Sequence, residues 1–217
     1  MTDAVKQLEV FQDLYFYGPA NKRRALRRAL LGRVVLPWRR AEEKEKQLSR
    51  SAGEDTDILA FQREAGDGLA AATLFLWSRP DGYKVSNIVP LEVGDLGYTR
   101  YNAILHDFQQ RIAEPAAQQV GFQVKTTPAC QSLEDWLSPK AARALQLFSR
   151  AANKSTGSSH PLDRERWFQF LIEAHLANRP LDTRTLARWL AKVEGWDDEN
   201  ANELAIEYEF GLELLSV

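Results

Sequence analysis

Apolar residues recur along this chain at two different periods, and the changes of period divide it. Ala4, Leu8, Phe11 and Tyr15 fall at helical spacing before Gly18-Pro19 interrupts the run, which predicts a short first helix. In residues 21–31, steps of about 100° put Arg23, Arg24, Arg27 and Arg28 on one half of a helix and Ala25, Leu26, Ala29 and Leu30 on the other. Gly32 closes that helix. Val34, Val35 and Pro37 favour extended chain over 33–38, and 39–48 reads as a charged helix with Arg39 facing Glu43 and Glu42 facing Lys46. The polar stretch 49–56 reads as a linker.

The middle of the chain changes period. Residues 69–77 and 84–90 are rich in Leu, Val, Ile, Phe and Trp and flank the turn-forming 78–83, which predicts a β-hairpin with a turn longer than two residues. Thr99 can cap a helix in which Tyr101, Ile104, Leu105, Phe108 and Ile112 share a face, Pro115 marks a kink or restart, and Gly121 a stop. Residues 122–127 supply a further strand. Beyond Ser132 the helical period takes over: Ala141, Leu145, Phe148 and Ala152; Trp167, Phe170, Leu171 and Ala174; Leu186, Trp189, Leu190 and Val193; Ala201, Leu204, Ala205, Tyr208, Leu212 and Leu215.

These elements predict an α+β fold: N-terminal helices, a small β-β-α-β sheet containing an antiparallel hairpin with a helix packed on it, and a C-terminal helical bundle. The chain divides into a basic helical segment, 1–50, an α+β core, 51–130, and a helical bundle, 131–217, that packs with the core. His160-Pro161-Leu162-Asp163 recurs as Arg179-Pro180-Leu181-Asp182. The spacing is too short for a solenoid repeat, and the shared residues read as a helix start, with Pro rigidifying the approach and Asp capping the first amides.

Composition adds bounds. With 217 residues, 44% of them hydrophobic, and a net charge of −2, the chain can bury a core without disulfides or a metal. No stretch approaches a membrane span, and the start lacks a basic region followed by an apolar one. The single Cys130 suits a reducing compartment, so a cytoplasmic protein is expected. Charge is polarised: residues 21–50 carry eleven Lys or Arg against three Glu, whereas 195–217 carry seven carboxylates and no Lys or Arg. Such ends can meet ionic partners or each other.

Familiar catalytic arrangements are missing. His106, His160 and His175 are scattered without metal-ligand spacing, and His175 reads as a hydrogen-bonded core histidine. No Gly-x-Ser-x-Gly, Gly-x-Gly-x-x-Gly or Gly-x-x-x-x-Gly-Lys-Ser/Thr motif occurs. Cys130 lacks a sequence-visible activating partner. Glu64, Asp67, Glu92 and Asp95 read as loop and cap carboxylates rather than ligands of a divalent ion. Neither a metal nor a cofactor is expected.

Two functional readings follow. The first is a protein-interaction component, antitoxin-like, immunity-like or an adaptor, that binds a partner through Glu203, Glu207 and Glu209 of its acidic last helix. The second is a nucleic-acid-binding protein, with phosphoryl-transfer or nuclease activity as an extension. It would track an RNA or DNA backbone with Arg23, Arg24, Arg27 and Arg28 and stack bases on Tyr15, Tyr17 and Trp38. A phosphate would sit at Lys154, Ser155, Thr156, His160 and Arg164, ahead of a helix N-terminus.

Overall fold

The computed structural model describes residues 6–52 and 57–217. In chain order its elements are β1 (Leu8–Glu9), β2 (Leu14–Tyr17), α1 (Arg23–Gly32), β3 (Trp38–Arg40), α2 (Glu42–Ala52), β4 (Ile58–Arg63), β5 (Ala72–Arg79), β6 (Gly82–Pro90), α3 (Gly97–Phe108), α4 (Glu114–Val120), β7 (Gln123–Thr126) and β8 (Cys130–Gln131). The helices α5 (Leu133–Trp136), α6 (Pro139–Ala151), α7 (Pro161–Leu176), α8 (Thr183–Lys192) and α9 (Asp198–Leu215) follow. The architecture is α+β with a helical C-terminal region. The described residues form two compact units, one of Glu9–Ala129 and one of Cys130–Val217 together with Lys6, Gln7 and Leu8.

The first unit is built on a six-stranded sheet in the order β3-β4-β5-β6-β2-β7, with every neighbouring pair antiparallel. On one face Leu14, Phe16, Leu59, Phe61, Leu74, Leu76, Tyr83 and Val85 meet Leu26 and Leu30 of α1, Ile104, Leu105 and Phe108 of α3, and Ala116 and Ala117 of α4 in one buried core. Between α3 and α4 the helix widens into a π-turn over Gln109–Ala113, with Pro115 in the first turn of α4 and Gly121 closing it at φ 77°. Buried Asn102 fixes the chain leading into β2, accepting from the Gln12 amide at 2.8 Å and donating to the Val10 carbonyl at 2.9 Å.

Several expectations change here. Ala4 lies outside the described residues, and the other members of the expected first helix go separate ways. Leu8 joins the core of the second unit, Phe11 packs against Tyr98 and Tyr101, and Tyr15 lies in β2. Leu14-Tyr15-Phe16-Tyr17 alternates with a period of two, and sheet pairing on both sides of β2 outweighs the helical spacing. The hairpin turn is shorter than expected, because Arg79 pairs with Gly82 and leaves only Pro80 and Asp81 between them.

Trp38–Arg40 is a strand, so the charged helix starts at Glu42 and Arg39 cannot pair with Glu43 along it. Arg40 instead reaches Glu42 at 2.8 Å and Glu45 at 2.7 Å. The expected linker begins inside α2, and 53–56 lie outside the described residues. Strand β4 had no counterpart in the sequence reading. Thr99 does not cap α3; its hydroxyl donates to Glu9, and Asp95 accepts from the Gly97 amide.

In the second unit aromatic rings make the core. Phe148 stacks on Trp196 at 5.4 Å, Phe170 stacks on Tyr208 at 5.4 Å, and Trp167 lies between Phe148 and Phe170. Ser138 caps α6 and Asp182 caps α8. The two Pro-Leu-Asp copies start their helices differently. Asp182 is the cap of α8, whereas α7 begins at Pro161 and Asp163 lies inside the first turn, buried and bound to Arg166 at 2.7 Å.

Candidate functional site

The basic face of α1 separates into two pairs, as helix geometry requires when Leu26, Ala29 and Leu30 face the sheet. Arg23 and Arg27 flank the buried side. Arg23 donates to the Arg79 carbonyl at 3.2 Å, and Arg27 pairs with Asp57 at 3.1 Å. Asp57 also accepts from Tyr83, whose hydroxyl is held well above its ordinary pKa by burial and by that carboxylate. Arg24 and Arg28 point outward, Arg28 into a shallow groove of about 500 Å³ that it lines with Arg33 and Gln119. Trp38 stands apart from all four: it is buried and donates to Asp107 at 2.7 Å.

The loop ahead of α7 is internally bonded. Lys154 donates to the carbonyl of Glu194, Ser155 donates from both amide and hydroxyl to Asn153, and the Thr156 hydroxyl reaches the Asn153 carbonyl at 3.4 Å. His160 and Arg164 are exposed, and an open depression of about 690 Å³ is lined by Thr156, Ser159, His160, Asp163 and Arg166. Within it Asp163 is buried, paired with Arg166 at 2.7 Å and accepting from the Asn153 amide at 3.4 Å, so an anion bound at Arg166 would compete with this carboxylate.

Glu203, Glu207 and Glu209 are exposed on α9. Ala201, Leu204, Ala205 and Tyr208 face the core, and the opposite side carries Ile206, Phe210 and Leu214, exposed by 50%, 66% and 76%. At about 100° per residue, Glu203 and Glu207 edge this apolar stripe on one side and Glu209 and Glu213 on the other. Asp197 caps the helix, accepting from the Asn200 amide at 2.9 Å, and these bonds hold its carboxyl below the ordinary range. On the α7 side Gly211 admits Leu171 so closely that an added Cβ would lie 2.7 Å from it. A second exposed stripe, Phe168, Ile172 and Leu176, runs along α7. On the α8 side Arg184 and Arg188 line a groove with Asn202 and Ile206, and on the other edge Glu207 accepts from the Ser158 hydroxyl at 2.9 Å.

The remaining candidates are dispersed. Asp67 pairs with Arg111 at 3.5 Å, and Glu64 and Glu92 are exposed in loops. Cys130 is exposed and His175 half-buried. Among the described residues no three His, Cys, Asp or Glu side chains gather in a way that could hold a metal ion, and no helix is long and apolar enough to cross a membrane. The sequence reading passed over the exposed apolar stripe of α9, although its i, i+4, i+8 spacing was available, and over the cations that β6 and β7 set beside Tyr15 and Tyr17. Comparison with family models, curated proteins and solved structures returns no match.

Proposed function

We propose that the protein is a cytoplasmic interaction component, an adaptor or an antitoxin-like or immunity-like protein, whose helical unit receives a basic amphipathic helix of a protein partner along the outward side of α9. The observation that carries this reading is the stripe of Ile206, Phe210 and Leu214, largely exposed on a helix whose other side buries Ala201, Leu204, Ala205 and Tyr208, with carboxylates along both edges. An apolar stripe gives area to a partner and the carboxylates select its charge: Lys or Arg flanking the partner's own apolar stripe would meet Glu203 and Glu207, while an acidic partner would be repelled. The exposed thiol of Cys130 fits a reducing compartment.

The test uses the full chain, with Glu203, Glu207 and Glu209 all changed to Lys, and a synthetic amphipathic helix of Leu and Lys as probe beside any partner purified from the host. The reversal should weaken both interactions by about tenfold or more at low salt, with a circular dichroism melt close to wild type, because all three side chains are exposed and the hydrogen bond lost among them is the exposed Ser158–Glu207 bond. Phe210→Ser should weaken them at any salt. Retention of the partner by both variants would overturn the reading.

A further inference from the structure

The side of the six-stranded sheet turned away from α1, α3 and α4 carries a regular array. In one row across the strands, Lys125 of β7 is paired with Tyr15 of β2, Tyr15 with Lys84 of β6, and Lys84 with Trp77 of β5. Direct partners on an antiparallel sheet share a face, so the row reads cation, aromatic, cation, aromatic. Tyr17, two residues along β2, is 36% exposed and lies nearly parallel to Tyr15, with ring centroids 5.9 Å apart and planes inclined by 22°.

Each tyrosine ring has a cation over it. Arg79 and the Lys84 ammonium stand 5.3 and 5.2 Å from the Tyr15 centroid, and the Lys125 ammonium 5.6 Å from that of Tyr17. Asp13 holds Lys84 at 2.9 Å and accepts from the Tyr15 hydroxyl at 2.9 Å, and Asp81 holds Arg79 at 3.1 Å. Three cations therefore border two tyrosines against two carboxylates.

We infer that this face binds single-stranded nucleic acid, with bases stacking on Tyr15 and Tyr17 and phosphates meeting Lys125 and Arg79. The cations now over the rings keep the platform in place, and a base that stacks on a ring displaces its cation toward the adjoining phosphate. Stacking needs a ring face and no particular base edge, so binding is tolerant of sequence. A duplex hides its base faces and cannot use the rings. The site is in the unit of Glu9–Ala129, and the acidic helix α9 contributes no residue to it.

Fluorescence anisotropy with the full chain and labelled 12-nucleotide oligo(dT) and oligo(U) tests this, with a 12-base-pair duplex as the comparison. Both single strands should bind at 50 mM NaCl and the duplex much more weakly, and affinity should fall by about tenfold between 50 and 200 mM NaCl. Tyr17→Ala should cost about fivefold or more, and the exposed Lys125→Glu should cost affinity while leaving the fold intact. The Glu203, Glu207 and Glu209 reversal should leave oligonucleotide binding at wild-type strength, which separates failure of this site from failure of the proposed protein interface. Absence of binding to both single strands at 50 mM NaCl, equal affinity for the duplex, or unchanged affinity in both variants would each overturn the site. Protection of β2 and β7 from hydrogen exchange by a protein partner but by neither oligonucleotide would assign the face to protein instead.

Discussion

Arg63 is fully buried, yet every part of its guanidinium is engaged. It donates to Asp107 at 3.2 Å and to the carbonyls of Glu64, Gly66 and Leu69 at 2.8, 3.0 and 3.3 Å, tying down the loop after β4. Asp107 also accepts from Trp38 and Arg111, each at 2.7 Å. Burial pushes the Asp107 carboxyl up, but the bonds from Arg111, Trp38 and Arg63 outweigh it and hold the pKa below the ordinary value. A depressed carboxylate contributes stability above its unfolded pKa of about 4, and that contribution is lost as pH falls through the folded value. Asp107→Asn should therefore cost about 2–4 kcal/mol at pH 7. In urea melts across pH, the gap from wild type should narrow below about pH 4. A gap that is constant with pH would show that the charge of Asp107 is immaterial.

Among the elements, the β5–β6 hairpin depends on a backbone approach that side chains would block. A Cβ on Gly82 would lie 2.2 Å from the Phe16 carbonyl oxygen, and its φ of 148° disfavours other residues. Gly82→Ala should destabilise the protein by about 3 kcal/mol or more in chemical denaturation, because either β2 shifts or the turn is strained. A cost below about 1 kcal/mol would mean that β2 yields freely at this point. The helices of the second unit were the most legible elements, since α6, α7, α8 and α9 each repeat an apolar face over several turns. Strands β2 and β4 were not. The first also fits a helical spacing, and Ile58-Leu59-Ala60-Phe61 is buried on both faces and so carries no alternation.

Across the whole molecule, the beginning of the chain serves both units. Leu8 is buried with Leu133, Leu137 and the tryptophans, and Lys6 bonds Glu194 at 2.7 Å, while β2 lies between β6 and β7. Leu8→Ala should cost the helical unit about 2–4 kcal/mol. Hydrogen exchange read by mass spectrometry should show faster exchange in α6, α7 and α8 with little change in β4, β5 and β6. Equal acceleration in those strands would show that Leu8 stabilises both units alike. The charge polarity visible in the sequence has a division to match: α1 belongs to the sheet unit and α9 to the helical unit.

The α+β class, the β5–β6 hairpin, the long helix ending at Gly121, the C-terminal helices and the acidic character of α9 can all be read from the residues in order along the chain. Those features rest on periodicity, turn residues and charge, which are local. Tertiary structure alone decided that Leu14–Tyr17 is a strand, that Arg23 and Arg27 are bound to groups far along the chain while Arg24 and Arg28 face outward, and that Lys154 is bonded to the Glu194 carbonyl. It also brought Lys84 and Lys125 beside Tyr15, residues whose sequence separation of tens of positions carries no local signal. A strand or a side-chain pair formed by distant segments draws its free energy from contacts that exist only once the chain has closed on itself, so its residues can look locally like something else.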